Sequence, residues 1–367
     1  MTLTMIAWML MAVSVWYVPF RLKNLLGLRR RWPLAVFTAA VLGGYMLLLH
    51  TGIYVLDNIA IAWIYNALGL LFVFVIYLFF LLAATHPLTA LVKRIPKRPL
   101  GIGGIVVSAF FVALGFINAQ SFVVTHHDIA VNNLAQPVRI VHIPDIHLGA
   151  QRGEAYLNRI LDAIDEQKPD MVLYNGDLID SNIALKPGLF SLFRRVRAEQ
   201  YFTTGNHEYY MDTGGALQLI ADAGIRILRS EMIETHGVQL IGMEYMNADR
   251  ETRDAHMVNT LTIQEELPRI AREDGKPSVL AHHSPVGMKY AAEGNIDLML
   301  SGHTHGGQFF PGTALVKYRF PMYRGRYRIG GVTLLVSQGA GTFGPWMRLG
   351  ARNEVQVVNL IPAKPEQ

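Results

Sequence analysis

The sequence predicts four transmembrane helices followed by an α/β domain of layered β-sheets covered by helices. Three observations lead there. The first 120 of the 367 residues hold four long apolar stretches. Beyond residue 137, strand-patterned and helix-patterned segments alternate and then give way to strands. Short polar side chains recur where those strands end.

The apolar stretches are 2–20, 34–56, 59–84 and 102–119, each near the roughly 20 residues that carry an α-helix across a bilayer. The first has no positive charge ahead of it, and its basic cluster follows the apolar run, the reverse of a cleaved signal peptide. It is read as a span. Trp16, Tyr17, Trp32 and Tyr54 suit interfacial anchors, and His50 lies near an interface. Residues 1–120 carry nine Lys or Arg and one acid, against 24 and 27 in the remaining 247, so the net charge of +5 belongs to the membrane part. The rest is mildly acidic, which gives nucleic-acid binding no support. Arg21, Lys23, Arg29, Arg30 and Arg31 form one basic loop; Lys93, Arg94, Lys97 and Arg98 form another. With four spans, both loops sit in the cytoplasm. A multi-pass protein of the inner, cytoplasmic membrane results, with everything after about residue 120 periplasmic or extracellular. That placement is tied to the count of four.

The expected organisation is a membrane domain over 1–120, a polar linker over 121–136 holding His126 and His127, and a catalytic domain over 137–367. Within the last, strands are expected at 138–143, 170–174, 201–203, 238–241, 277–281, 296–300, 325–329, 332–337 and 354–360. Helices are expected at 156–167, 190–198, 214–223 and 261–271. Hydrophobic residues at 51% and charged ones at 17% exclude a disordered chain. The absence of cysteine excludes disulfides, thiolate metal sites, iron–sulfur clusters and a cysteine nucleophile.

Five strand ends carry candidate chemistry. Asp145 and His147 follow the first strand, Asp177 and Asp180 the next, then Asn206, His207 and Glu208, then His282 and His283, then His303 and His305. Side chains at the carboxyl ends of parallel strands converge on one crevice. Carboxylate, carboxamide and imidazole donors suit Mn, Fe or Zn, and the set is large enough for two ions. The His282–His283 doublet leaves open which of the two is a ligand.

The order Asp-x-His, Gly-Asp-x-x-Asp, Gly-Asn-His-Glu, a lone His and Gly-His-x-His resembles the calcineurin-like metallophosphoesterases, from about residue 138 to 361. The segments 302–308 and 337–350 are similar to those of a bacterial subgroup anchored by N-terminal spans. The resemblance implies a layered double β-sheet sandwich flanked by helices. It also implies two divalent metal ions, with manganese among the candidates. Asp145, His147 and His305 would hold the first ion, Asp177 would bridge, and Asn206, His283 and His303 would complete the second. His283 is selected because the family's lone histidine lies two positions before a proline, here Pro285. His207 matches the histidine that assists the leaving group, Glu208 steadies its loop, and Asp180 supports from behind. Pro144 stands where serine is common, which removes a backbone donor but no ligand.

The implied enzyme is a metal-dependent phosphoric ester hydrolase. It would cleave a phosphate ester or pyrophosphate by attack of a hydroxide bridging the two metals. The spans make a membrane-lipid-linked phosphate a reasonable substrate, on an equal footing with soluble periplasmic esters, and Tyr318, Arg319, Phe320, Tyr323, Arg324, Arg326 and Tyr327 are candidate contacts. The alternatives are a tethered phosphodiesterase for soluble periplasmic substrates and a membrane protein whose domain binds metal or ligand without turnover.

Overall fold

The structure is a computed structural model that describes residues 3–52, 57–92, 94–252 and 260–363, with side chains from residue 8 onward. Tyr54 and Lys93 lie outside the described residues. The chain forms two compact units.

The first unit comprises α1 (Leu3–Leu26), α2 (Trp32–His50), α3 (Ile59–Leu91) and α4 (Lys97–Ala119). Among the described residues, three helices, not four, are long and apolar enough to cross a membrane: α2, α3 and α4. The expectation of a fourth span fails at α1. That helix runs past its apolar stretch, through Pro19, into turns carrying Arg21, Lys23 and Asn24. These residues cut short the apolar length that its described side chains offer. Val18, Leu22 and Leu25 of α1 pack on Leu78 and Leu82 of α3. Met11, Val41, Leu42 and Val75 join α1, α2 and α3.

One short segment from late in the chain, Gly344–Leu349, also belongs to this unit. The Arg348 N–H donates to the Gly115 carbonyl at 2.8 Å. Trp346 meets Phe116 edge to face at 5.2 Å, and Met347 is fully buried.

The second unit holds β1 (Phe122–Val131), β2 (Val138–His142), β3 (Met171–Asn175), β4 (Glu199–Thr203), β5 (Arg226–Ile227), β6 (Glu231–Thr235), β7 (Val238–Gly242), β8 (Ser278–Ala281), β9 (Leu298–Ser301), β10 (Gly325–Ile329), β11 (Val332–Val336) and β12 (Asn353–Pro362). They form two six-stranded sheets, ordered β1-β12-β2-β3-β4-β5 and β10-β11-β9-β8-β7-β6. In the first, β2, β3, β4 and β5 run parallel; in the second, β7, β8, β9 and β11 do. β1 lies where a linker was expected, paired in parallel with β12 along its whole length.

The strand sequences explain the layering. Parallel strands covered on both faces are apolar at successive positions, not only at alternate ones. Ile140 faces an inner cluster with Leu173, Leu240, Val279, Leu298 and Leu335, drawn from both sheets. Its neighbour Val141 faces the other way, into a cluster with helix residues Leu157, Ile160 and Ile220. Leu280 and Met299 likewise turn outward under Met288 and Ile263. The covering helices are α5 (Glu154–Gln167), α6 (Pro187–Phe190), α7 (Thr213–Asp222), α8 (Ile263–Glu266), α9 (Met288–Glu293) and α10 (Gly312–Arg319).

Two expected helices are shorter than their patterns. The 190–198 pattern becomes α6 and the 3-10 turn Ser191–Arg195. The 261–271 pattern becomes α8 and the 3-10 turn Leu267–Arg269, because Pro268 lacks the N–H that would continue the ladder.

Candidate metal centre

The strand ends meet. The loops after β2, β3 and β4 supply Asp145, His147, Asp177, Asp180, Asn206 and His207, and those after β8 and β9 supply His283, His303 and His305. Three groups form, each with ligand atoms within 4.8 Å of one another: Asp145–His147–His305, Asp177–His283–His303 and His147–Asp180–His207. All these residues are buried except His303, which is half-buried.

The backbone is bent to make this possible. Asp145, His147, Asp177, His303 and His305 all have φ between 50° and 69°. For non-glycine residues that left-handed region costs about 1 kcal/mol or more each, strain that concentrates at functional sites. Neighbouring glycines clear the space. A Cβ at Gly205 would collide with the Asp177 carboxylate, and one at Gly302 with the Asp145 carboxylate.

Hydrogen bonds orient the donors. His283 Nδ1 donates to the Asn175 carbonyl at 2.7 Å. Its Nε2 is left to face Asp177 Oδ2 at 3.1 Å and Asp145 Oδ1 at 3.7 Å. His147 Nδ1 donates to Asp180 Oδ1 at 3.1 Å, which leaves its Nε2 3.0 Å from His305 Nε2. Two imidazole nitrogens 3.0 Å apart with carboxylates beside them need a positive centre, a proton or a metal ion, between them. A metal cation meets that need. Asn206 Oδ1 is buried with no hydrogen-bond partner, a further acceptor of the kind a metal would satisfy. The residues therefore fit divalent metal ions.

The electrostatics reflect the same crowding. Burial drives the His283 imidazole down, but Asp177 and Asp145 outweigh it and raise it to about 10. Burial pushes Asp177 up, yet His283, His207 and His147 hold it well below the usual carboxylate range. For Asp145 burial prevails and the carboxyl is raised. Asp180, against burial, is held at about 2 by the imidazoles of His147 and His207. His207 is raised because Asp177 and Asp180 outweigh its burial.

Two positions resolve what spacing left open. Both nitrogens of His282 are engaged by backbone: Nδ1 with the Ser284 carbonyl at 2.8 Å and Nε2 with the Met246 N–H at 3.3 Å. His283 alone of the doublet joins the cluster. Glu208 accepts from four backbone N–H groups, those of Asp177, Leu178, Ile179 and Gly205, and so ties the β3 and β4 loops together.

Sequence reading missed Asn175. It donates to the Leu300 carbonyl of the other sheet and to His142 Nε2, while its own carbonyl orients His283. It also missed aromatic neighbours of the cluster. Phe343 lies 5.0 Å from the His207 ring and 6.0 Å from that of His147; Tyr210 lies 5.1 Å from His207. Of the late-segment residues that the sequence offered as contacts, Phe320 meets His303 at 5.4 Å, whereas Tyr318 is 83% exposed. His126 and His127 lie on β1 and join none of the described groups.

Two stacked sheets, five of whose parallel strands deliver imidazole, carboxylate and carboxamide donors to one crevice, define a metal-dependent hydrolase with a dinuclear site. Residues 138–307 match the family described as calcineurin-like phosphoesterase, and residues 1–122 match a Domain of Unknown Function (DUF350). A metallophosphoesterase of Campylobacter jejuni is 31% identical over 262 residues, 70% of this chain and 68% of its own length. One from Helicobacter pylori is 29% identical over 280 residues, covering 73% of this chain and 74% of its own. A transmembrane protein with a metallophosphoesterase domain from Danio rerio is 32% identical over 277 residues, covering 71% and 62%. The chain belongs to the calcineurin-like phosphoesterase family, with its metallophosphoesterase domain fused to an N-terminal membrane-spanning region. Among solved structures, an NAD nucleotidase of Haemophilus influenzae matches with a TM-score of 0.35 at 17% identity, over 55% of this chain. This chain spans 45% of that one's length.

Proposed function

We propose that this metal-dependent phosphoesterase cleaves phosphate esters with an apolar leaving group, at the outer face of the membrane its helices span. The observation that carries the substrate class is the pair of half-buried aromatic rings, Phe343 and Tyr210, each packed against His207.

In this reading Asp145, His147 and His305 would hold one ion, Asn206, His283 and His303 the other, and Asp177 would serve both. Two such ions supply a water acidified for attack and a clamp on the phosphoryl oxygens. His207 holds the proton that the departing oxygen takes. Its Nδ1 stands 3.1 Å from Asp180 Oδ1, which turns Nε2 toward the reacting group. Phe343 and Tyr210 then place apolar surface on the leaving-group side. A phosphate on a lipid or isoprenyl chain matches that surface and the membrane setting.

Orientation follows from the same charges as before, on a corrected count. Three spans separate the basic residues ahead of α2 from the catalytic unit, and two separate them from Arg94, Lys97 and Arg98. Removing α1 from the count moves the N-terminus, not the catalytic unit, so the reading of that unit as external does not need four spans. Since the chain has no cysteine, Lys289→Cys on α9 gives a single label site. It should react with a membrane-impermeant maleimide in intact cells; reaction only after lysis would place the unit inside.

The substrate test uses purified full-length protein with its metals, on an isoprenyl phosphate in mixed micelles and on a nucleoside monophosphate. The lipid ester should be favoured about tenfold or more in kcat/KM, the discrimination available from a modest apolar contact. Equal rates would favour a tethered enzyme for soluble esters.

A further inference from the structure

A second site lies within the membrane unit. A cavity of about 350 Å³ is lined by Arg21, Asn24, His86, Thr89, Ala90 and Lys97. Three of those six side chains are basic or can become so, and none is acidic. The only acid in residues 1–120 is Asp57, which precedes the first residue of α3. His86 and Thr89 stand in that helix's last two turns. No carboxylate of this unit's own helices is thus placed to neutralise the cavity.

Arg21 is the centre of the site. It is 6% exposed, and its Nη2 donates to the Thr85 carbonyl at 3.2 Å and to Thr89 Oγ1 at 2.5 Å. Its Nε is buried and has no hydrogen-bond partner. A guanidinium fixed by neutral acceptors, with one N–H unused, retains its full charge and a free donor; both suit an anion. Burial of such a cation without a counter-charge is costly, and a ligand that brings the charge offsets it.

α4 adds a third element. It starts at Lys97 behind Pro96, with no side-chain cap on its first turn. Pro96 and Pro99 carry no N–H, so the free first-turn donors are the N–H groups of Lys97 and Arg98, and with the dipole of a 23-residue helix they open where Lys97 lines the cavity. Next to Arg21 and Asn24 along α1, Leu22 and Leu25 join the apolar cluster of the bundle with Val18, Leu26 and Leu100. A polar cationic mouth beside an apolar helix surface matches a molecule with an anionic head and acyl tails.

We propose that this cavity binds the phosphate of an anionic phospholipid, on the basic-loop side of the membrane. Arg21 and Lys97 pair with the phosphate oxygens, and the α4 N-terminus faces it. The proposal is independent of the catalytic reading, since none of these residues belongs to the candidate ligand set.

The test is native mass spectrometry of the full chain released from detergent, after incubation with phosphatidylglycerol, with phosphatidylcholine or with inorganic phosphate. Phosphatidylglycerol should bind at one saturable site, in preference to phosphatidylcholine. Arg21→Gln and Lys97→Gln should each weaken it about tenfold, the loss of one charge-assisted hydrogen bond. Lys97 is exposed, so Lys97→Gln keeps the test valid even where a buried change disturbs packing. Phosphoesterase activity in micelles should stay unchanged in Lys97→Gln. Unaltered phosphatidylglycerol binding in both variants would overturn the proposal, as would saturable binding of inorganic phosphate with no lipid retained.

Discussion

At the residue scale, the centre is governed by which nitrogen of each histidine is already committed. Asn175 takes one nitrogen of His283, and Asp180 takes one of His147. In both cases Nε2 is left for the cluster. Asp180 Oδ1 also lies 3.1 Å from His207 Nδ1, so one carboxylate orients a candidate ligand and the candidate proton donor together. This distinguishes two substitutions. His207→Ala should lower kcat by about 10²- to 10⁴-fold with metal content unchanged, the usual worth of a positioned acid or base. Asp180→Asn should lower both metal affinity and kcat, by about 10- to 100-fold, as expected for a partner behind a ligand. Kinetics with metal analysis by plasma mass spectrometry separates them. Metal loss in His207→Ala would make that residue a ligand instead.

At the scale of elements, the sequence was most readable where one physical signal dominates. Apolar runs buried on both faces marked β2, β3, β8, β9 and β11, and the donor-bearing loops came directly after them. That is why Asp145, Asp177 and His303 could be assigned to strand ends before any geometry was known. His282 and His283 could not be separated by periodicity. Their difference lies in the Ser284 carbonyl and Met246 N–H that engage one and not the other. Asn175 was invisible because nothing in its spacing signals a bond to Leu300 across the two sheets. The 121–136 stretch reads as polar linker because Thr125, His126, His127 and Asp128 break any apolar pattern. Ten residues of it nevertheless form β1, whose register is supplied entirely by β12. At α8, Pro268 was the legible stop, and the apolar periodicity beyond it misled.

At the scale of the whole molecule, the segment Gly344–Leu349 shows that the two units are not simple consecutive blocks. It follows Phe343, a neighbour of the metal centre, yet packs with α4 through Trp346 and the Arg348 N–H. The chain therefore leaves the catalytic unit at Phe343, joins the membrane unit over Gly344–Leu349 and returns at Gly350. Composition explains the membrane correction as well. Average apolarity suggested four spans, but the placement of Arg21, Lys23 and Asn24 within α1 leaves three among the described residues. The chain as a whole joins a basic membrane unit to a mildly acidic hydrolase whose imidazole and carboxylate donors crowd into a buried cluster that fits divalent cations. The most direct test is to strip metal from the purified full-length protein with a chelator and titrate Mn²⁺ back, following bound metal and hydrolysis of a chromogenic phosphate ester together. Activity should vanish on stripping and return as two equivalents bind, and Asp177→Asn should retain its fold yet fail to recover. Full activity in the stripped protein, or in Asp177→Asn, would contradict the two-metal account.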